Sequence, residues 1–115
     1  MNVEEVRNIC LSMPHVTEDM PFGETVLAVR IGGKIFTLID LAAAETLNLK
    51  CYPEKAIELR EEYSGIIPGF HMNKEHWNTV YFDKIPVKLV KELIQHSYEL
   101  ILNSISKNKR KELGI

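Results

Sequence analysis

Residues Thr25–Asp40 read TVLAVRIGGKIFTLID, two β-rich runs, Thr25–Ile31 and Lys34–Asp40, held apart only by Gly32-Gly33. Both glycines accept the positive φ that a type I′ turn needs, so the stretch predicts a two-residue β-hairpin. So short a turn sets the register. Arg30 falls opposite Ile35, Val29 opposite Phe36 and Leu27 opposite Leu38. Leu27, Val29, Phe36 and Leu38 then share one face, the core side, with Lys34 on the same face as Phe36 at the strand end. Thr46–Tyr52 (TLNLKCY) alternates next. Leu47, Leu49 and Cys51 face one side, and Asn48, Lys50 and Tyr52 the other, which predicts a half-buried third strand.

Helical signals flank these strands. Asn2 with Glu5 makes a capping-box-like start, and Val3, Val6, Cys10 and Met13 recur at helical spacing until Pro14 stops the run. HVTEDMPFGE then reads as a loop. Pro53 opens a second helix, EKAIELREEY, with an inner stripe of Ala56, Leu59, Arg60 and Tyr63, ended by Ser64-Gly65. Ile66–Phe70 and Trp77–Phe82 read as two more strands joined by HMNKEH. A last helix takes Pro86 into its first turn and carries Val87, Val90, Ile94, Tyr98, Ile101 and Ile105 on one stripe. The tail KNKRKELGI reads as fraying into solvent. The predicted order is α-β-β-β-α-β-β-α, a two-layer α+β domain over residues 1–115 with a five-stranded antiparallel sheet and helices on one face.

Composition bounds the function. The chain has 115 residues, 45% hydrophobic and 26% charged, which fits one packed domain and excludes disorder as the main state. No apolar run approaches the roughly 18 residues of a membrane span, and MNVEEVRNIC lacks signal-peptide blocks, so a cytoplasmic location is expected. Cys10 and Cys51 form no CxxC pair and read as reduced thiols. Net charge is −2, against a strongly basic nucleic-acid binder, but residues 1–62 carry −5 and residues 63–115 carry +3. An anion-binding surface would lie in the second half.

The densest mixture of polar and aromatic groups is Ile66–Val80, IIPGFHMNKEHWNTV, with two histidines, one lysine, two asparagines and the sole tryptophan. PFGE at Pro21, the GGK turn ending at Lys34, Leu49–Pro53 and above all PGFHMNKEHWNTV at Pro68–Val80 resemble the MmcQ/YjbR family of small bacterial proteins. The resemblance spans nearly the whole chain. It implies a two-layer fold similar to type III secretion chaperones and the CyaY-like group. It also implies DNA binding through a double-wing arrangement of hairpins. Carried over by position, the family's polar set falls on Lys34, Lys50, His71, Asn73, Lys74, His76, Trp77 and Asn78. Phe70 departs from the pattern, since many relatives have tyrosine there.

Three functions follow as expectations. The first is a nucleic-acid-binding module whose two hairpin turns, Gly32-Gly33 and His71–His76, present lysines to phosphate, with Trp77 as a stacking platform and the basic Lys107–Lys111 run adding affinity. The second is a protein- or peptide-binding, chaperone-like module using the sheet face or edge, as a monomer or weak dimer. The third is a small-ligand site around Trp77, His71 and Lys50. His71 and His76, five apart with no third ligand, do not read as a metal pair, and no cofactor is expected. No nucleophile elbow, phosphate loop or paired carboxylate stands out, so no enzymatic activity is expected.

Overall fold

A computed structural model describes all residues, Met1–Ile115. The chain runs α1 (Val3–Leu11), β1 (Val16–Asp19), β2 (Val26–Ile31), β3 (Lys34–Asp40), β4 (Thr46–Lys50), α2 (Pro53–Glu62), β5 (Ile66–Pro68), β6 (Trp77–Tyr81), α3 (Val87–Ser104) and α4 (Lys107–Leu113). The expected α+β class and antiparallel pairing hold. The sheet has six strands, not five, in the order β1-β2-β3-β4-β6-β5. One hydrophobic cluster joins Val6 and Cys10 of α1, Ala56 and Leu59 of α2 and Val90, Ile94 and Ile101 of α3 to the inward residues of β2–β6. The helices therefore cover one sheet face and leave the other open.

The extra strand comes from the segment read as a loop. Val16–Asp19 pairs with Ile31–Ala28 along the outer edge of β2. Two ion pairs hold it. Arg7 Nε donates to Glu18 Oε2 at 2.8 Å, and Arg30 Nε donates to Asp19 Oδ1 at 2.8 Å. VTED carries one apolar residue and no alternation of its own, so its strand state depends on partners that lie elsewhere in the chain.

The hairpin turn forms as expected, with φ of +59° at Gly32 and +81° at Gly33. Arg30 does pair with Ile35, but Val29 then pairs with Thr37 and Leu27 with Ile39. Phe36 is an extra residue, a β-bulge, and it corrects the register beyond it by one. Such a slip exchanges faces. Ile39 goes into the core, and Leu38, expected there, turns to the open face.

The bulge breaks the β3–β4 ladder beyond Thr37–Leu49. Ser97 of α3 fills the gap. Its Oγ donates to Phe36 O at 2.5 Å and accepts from Lys50 N at 2.9 Å. A serine at the centre of an apolar helix stripe thus satisfies two backbone groups that the sheet leaves open.

The first helix is closed by the expected capping box of Asn2 and Glu5. Pro86 is the cap of α3 rather than part of its first turn, and Val87 is exposed. The tail does not fray. Ser106 Oγ accepts from Lys109 N at 3.1 Å, Gly114 closes α4 at φ +72°, and Ile105, Leu113 and Ile115 pack around Gly32. The β2–β3 turn is therefore seated against the C-terminal segment. No helix is long and apolar enough to cross a membrane.

Candidate functional site

The open face of the sheet forms a floor that two loops convert into a cleft. Val26 of β2, Leu38 and Asp40 of β3, and Thr46 and Asn48 of β4 make the floor. Phe22 stands on one side, and Phe70, His71 and Met72 on the other. The cleft holds about 580 Å³, within the 300–1,000 Å³ typical of small-molecule sites.

The Phe70 side is held by a polar pair on the floor. Pro68 ends β5 because it has no N–H to continue the ladder. Gly69 follows, and an added Cβ there would sit 3.0 Å from Trp77 Cβ and Trp77 O, so the chain turns back tightly against β6. Thr79, fully buried on the open face, then accepts from Phe70 N at 3.0 Å and donates to Asn48 Oδ1 at 2.6 Å. Asn48 Nδ2 reaches Phe70 O at 3.4 Å. The backbone of Phe70 is clamped while its ring remains 53% exposed. His71 follows at φ +56°, a left-handed conformation that few non-glycine residues take.

The opposite side is fixed by main-chain contacts. Leu41 N donates to Thr25 O at 2.8 Å, tying the Phe22 loop to the end of β3. Asp40 Oδ1 accepts from Ala42 N at 2.9 Å and from Ala43 N at 3.4 Å. Phe22 is 61% exposed. Two large rings facing water across an apolar floor are costly unless something covers them, and such patches mark binding surfaces.

Only His71 of the eight residues carried over from the resemblance lines this cleft. Lys50 and Trp77 are cross-strand neighbours of β4 and β6, both half-buried. Asn73 is a turn-former. Its Oδ1 accepts from Glu75 N and His76 N, and its carbonyl from Trp77 N. The His76 carbonyl accepts from Cys51 N at 2.7 Å. Lys74 is exposed, with its carbonyl accepting from Arg60. Asn78 is 2% exposed on the helix side, where Oδ1 accepts from Arg60 Nε at 2.7 Å and Nδ2 donates to Ala56 O at 3.3 Å. Lys34 reaches Ser104 Oγ of α3 at 3.4 Å. Lys34 thus sits on the helix side, while alternation puts Lys50 on the open face.

Sequence reasoning missed Phe22, Val26, Leu38, Asp40, Thr46, Phe70 and Met72 as site residues. The outward face of Asn48 was legible from the TLNLKCY alternation. The signal for the rest was two phenylalanines in glycine- and proline-bounded loops, PFG and PGF, where a core role is hard to meet.

Burial pushes the Cys10 thiol up to about 12 and raises that of Cys51 too. Burial also lowers the pKa of His96, whose ring stacks edge-on to Tyr52 at 5.0 Å, and Lys55 adds to the shift. No group of three or more His, Cys, Asp or Glu side chains is placed to hold a metal ion.

A six-stranded antiparallel sheet with helices on one face and an aromatic-sided cleft on the other defines a small α+β domain. The chain belongs to the YjbR family, whose model matches residues 11–100. It is 36% identical to the uncharacterised protein YbdF of Escherichia coli O157:H7, over 96% of this chain and 92% of that one. It is 28% identical to the uncharacterised protein YjbR of Escherichia coli strain K12, over 98% of each. The crystal structure of Deinococcus radiodurans protein DR2400, with a DUF419 domain, superposes with a TM-score of 0.90 at 36% identity, covering 98% of this chain and 88% of that one. A crystal structure of a Pseudomonas syringae protein gives a TM-score of 0.74 at 26% identity, covering 88% of this chain and 99% of that one.

Proposed function

We propose that this chain is a non-catalytic binding domain that takes a small, largely apolar molecule in the cleft on its open sheet face. The observation that carries the reading is the pair of exposed rings, Phe22 and Phe70, standing over the apolar floor of Val26 and Leu38. The Phe70 loop is fixed by hydrogen bonds and the Phe22 loop is anchored at Thr25, so much of the site is built before a ligand arrives, which lowers the entropic cost of binding. Asn48 spends hydrogen-bonding capacity on holding the Phe70 lip and Asp40 on the turn at Ala42 and Ala43, which suits recognition better than proton transfer.

The nucleic-acid reading gains less support. Phosphate binding needs converging cations, yet Lys34 and Lys50 lie on opposite sides of the sheet, and the Gly32 turn is packed beneath Ile105. A peptide in the cleft would bury main-chain N–H and C=O groups where few partners are free. Strand addition meets ion-paired Glu18 and Asp19 on β1 and Pro68 on β5.

The test is titration with the uncharged fluorophore N-phenyl-1-naphthylamine. Wild-type protein is expected to enhance its emission, and Leu38→Gln, a change on the open face, to weaken binding by about tenfold with circular dichroism unchanged. Equal affinity for the two proteins overturns the reading. A labelled duplex at about 20 mM salt runs alongside, and tight, salt-sensitive binding there would favour the nucleic-acid alternative.

A further inference from the structure

We infer that the cleft selects a cationic amphiphile: an aromatic or alkyl body ending in a protonated amine, with the amine set against Asp40. The inference rests on the cleft being a ligand site and adds the chemistry of its ligand.

The argument is one of charge left over. Asp40 is half-buried on the cleft floor. Its Oδ1 accepts two backbone N–H groups, Ala42 and Ala43, while Oδ2 makes no hydrogen bond. No lysine or arginine lines the cleft, and Asp40 has no ion pair. The other two acidic residues of the strands, both on β1, differ. Glu18 is matched by Arg7 and Asp19 by Arg30. A carboxylate among apolar groups is costly without a counter-charge, and one with an unbonded oxygen on the wall of a largely apolar cleft favours a ligand that brings one. A cation also gains from aromatic rings within reach, and Phe22 and Phe70 line the same cleft. An anion meets the like charge of Asp40, and no lysine or arginine lines the walls to offset it.

The geometry sorts ligand parts. The body lies over Leu38 and Val26 between the two rings, and the head meets Asp40 at the β3 end. A neutral molecule of the same shape retains the burial and loses the charge-assisted hydrogen bond. That bond separates the two by roughly tenfold in affinity.

The experiment compares 4-phenylbutylamine, 4-phenylbutan-1-ol and 4-phenylbutyrate by two-dimensional amide NMR titration of wild-type protein and Asp40→Asn. Asparagine keeps the side-chain oxygen that accepts from Ala42 and Ala43, so the turn is retained. The expected order for wild type is amine about tenfold tighter than alcohol, and carboxylate weakest. In Asp40→Asn the amine falls to the level of the alcohol and the alcohol is unchanged. Equal binding of amine and alcohol by wild type overturns the charge selection and leaves the apolar cleft standing. An amine advantage that survives in Asp40→Asn overturns the assignment to Asp40. Failure of all three ligands to shift the cleft residues overturns both this inference and the reading beneath it.

Discussion

Thr79→Val tests the clamp that builds the site. Valine matches threonine in shape, so no cavity forms and the change is confined to the hydroxyl. That hydroxyl donates to Asn48 Oδ1 at 2.6 Å and accepts from Phe70 N at 3.0 Å, in a residue with no exposed surface. Two bonds at about 0.5–1.5 kcal/mol each give a loss of about 1–3 kcal/mol, towards the upper end because both partners are left unpaired near the interior. For a domain of this size about 2 kcal/mol lowers Tm by roughly 6–10 °C. Thr37→Val is the control, since Thr37 Oγ1 is buried with no partner. Removing a hydroxyl that makes no bond should be neutral or stabilising by up to about 1 kcal/mol. Urea unfolding read by circular dichroism gives both stabilities, and hydrogen exchange reads the Phe70 amide directly. Expected are a marked loss for Thr79→Val, faster exchange at Phe70, and weaker binding of N-phenyl-1-naphthylamine. If Thr79→Val costs no more than Thr37→Val, or if Phe70 exchange is unchanged, the clamp does not hold the lip and the cleft is not prebuilt.

Ser97→Ala removes the bridge across the bulge, leaving Phe36 O and Lys50 N without partners; a loss of about 2–4 kcal/mol in urea unfolding is expected, and less than about 1 kcal/mol would show that the strands close over the gap. Both thiols are buried and raised in pKa, Cys10 to about 12, so an aromatic disulfide reagent at neutral pH should label neither until denaturant is added; rapid labelling of the native protein would contradict the packing. Stability should fall on acidification in two steps. His96 has a folded pKa below its unfolded value, so the unfolded chain binds the proton first and stability drops from about pH 6.5 downward, a step that His96→Phe should remove. Glu18 is held below the usual carboxylate range by its hydrogen bond to Arg7, so its contribution is present above about pH 4.3 and lost as pH falls through the lowered value; in this part-exposed pair it is worth at most about 1 kcal/mol, and Glu18→Gln should flatten it.

What the chain discloses before folding, and what it withholds, divides along the reach of the interactions involved. The Gly32-Gly33 turn, the Asn2–Glu5 cap and Pro53 at the head of α2 are local devices, set by a few neighbouring residues, and each was legible. The edge strand β1 was not, because VTED becomes a strand through Arg7, Arg30 and the free edge of β2. The bulge at Phe36 was not, because nothing in KIFTLID marks it; it is made tolerable by Ser97, 61 positions away. That one unreadable residue decides the site. With the regular register, Leu38 belongs to the core and the open face offers little apolar floor. With the bulge, Leu38 joins Val26 on the outside, and the side chains that looked chemical in HMNKEHWN, Asn73 and Asn78 above all, are spent on holding the turn and α2 in place. A segment dense in polar groups drew attention as a site. Much of that density is scaffolding, and it positions a quieter feature: two phenylalanines and an unpaired aspartate around an apolar hollow. The bulge and the Thr79 clamp are thus the two devices on which the cleft's shape depends, and both lie outside the residues that line it.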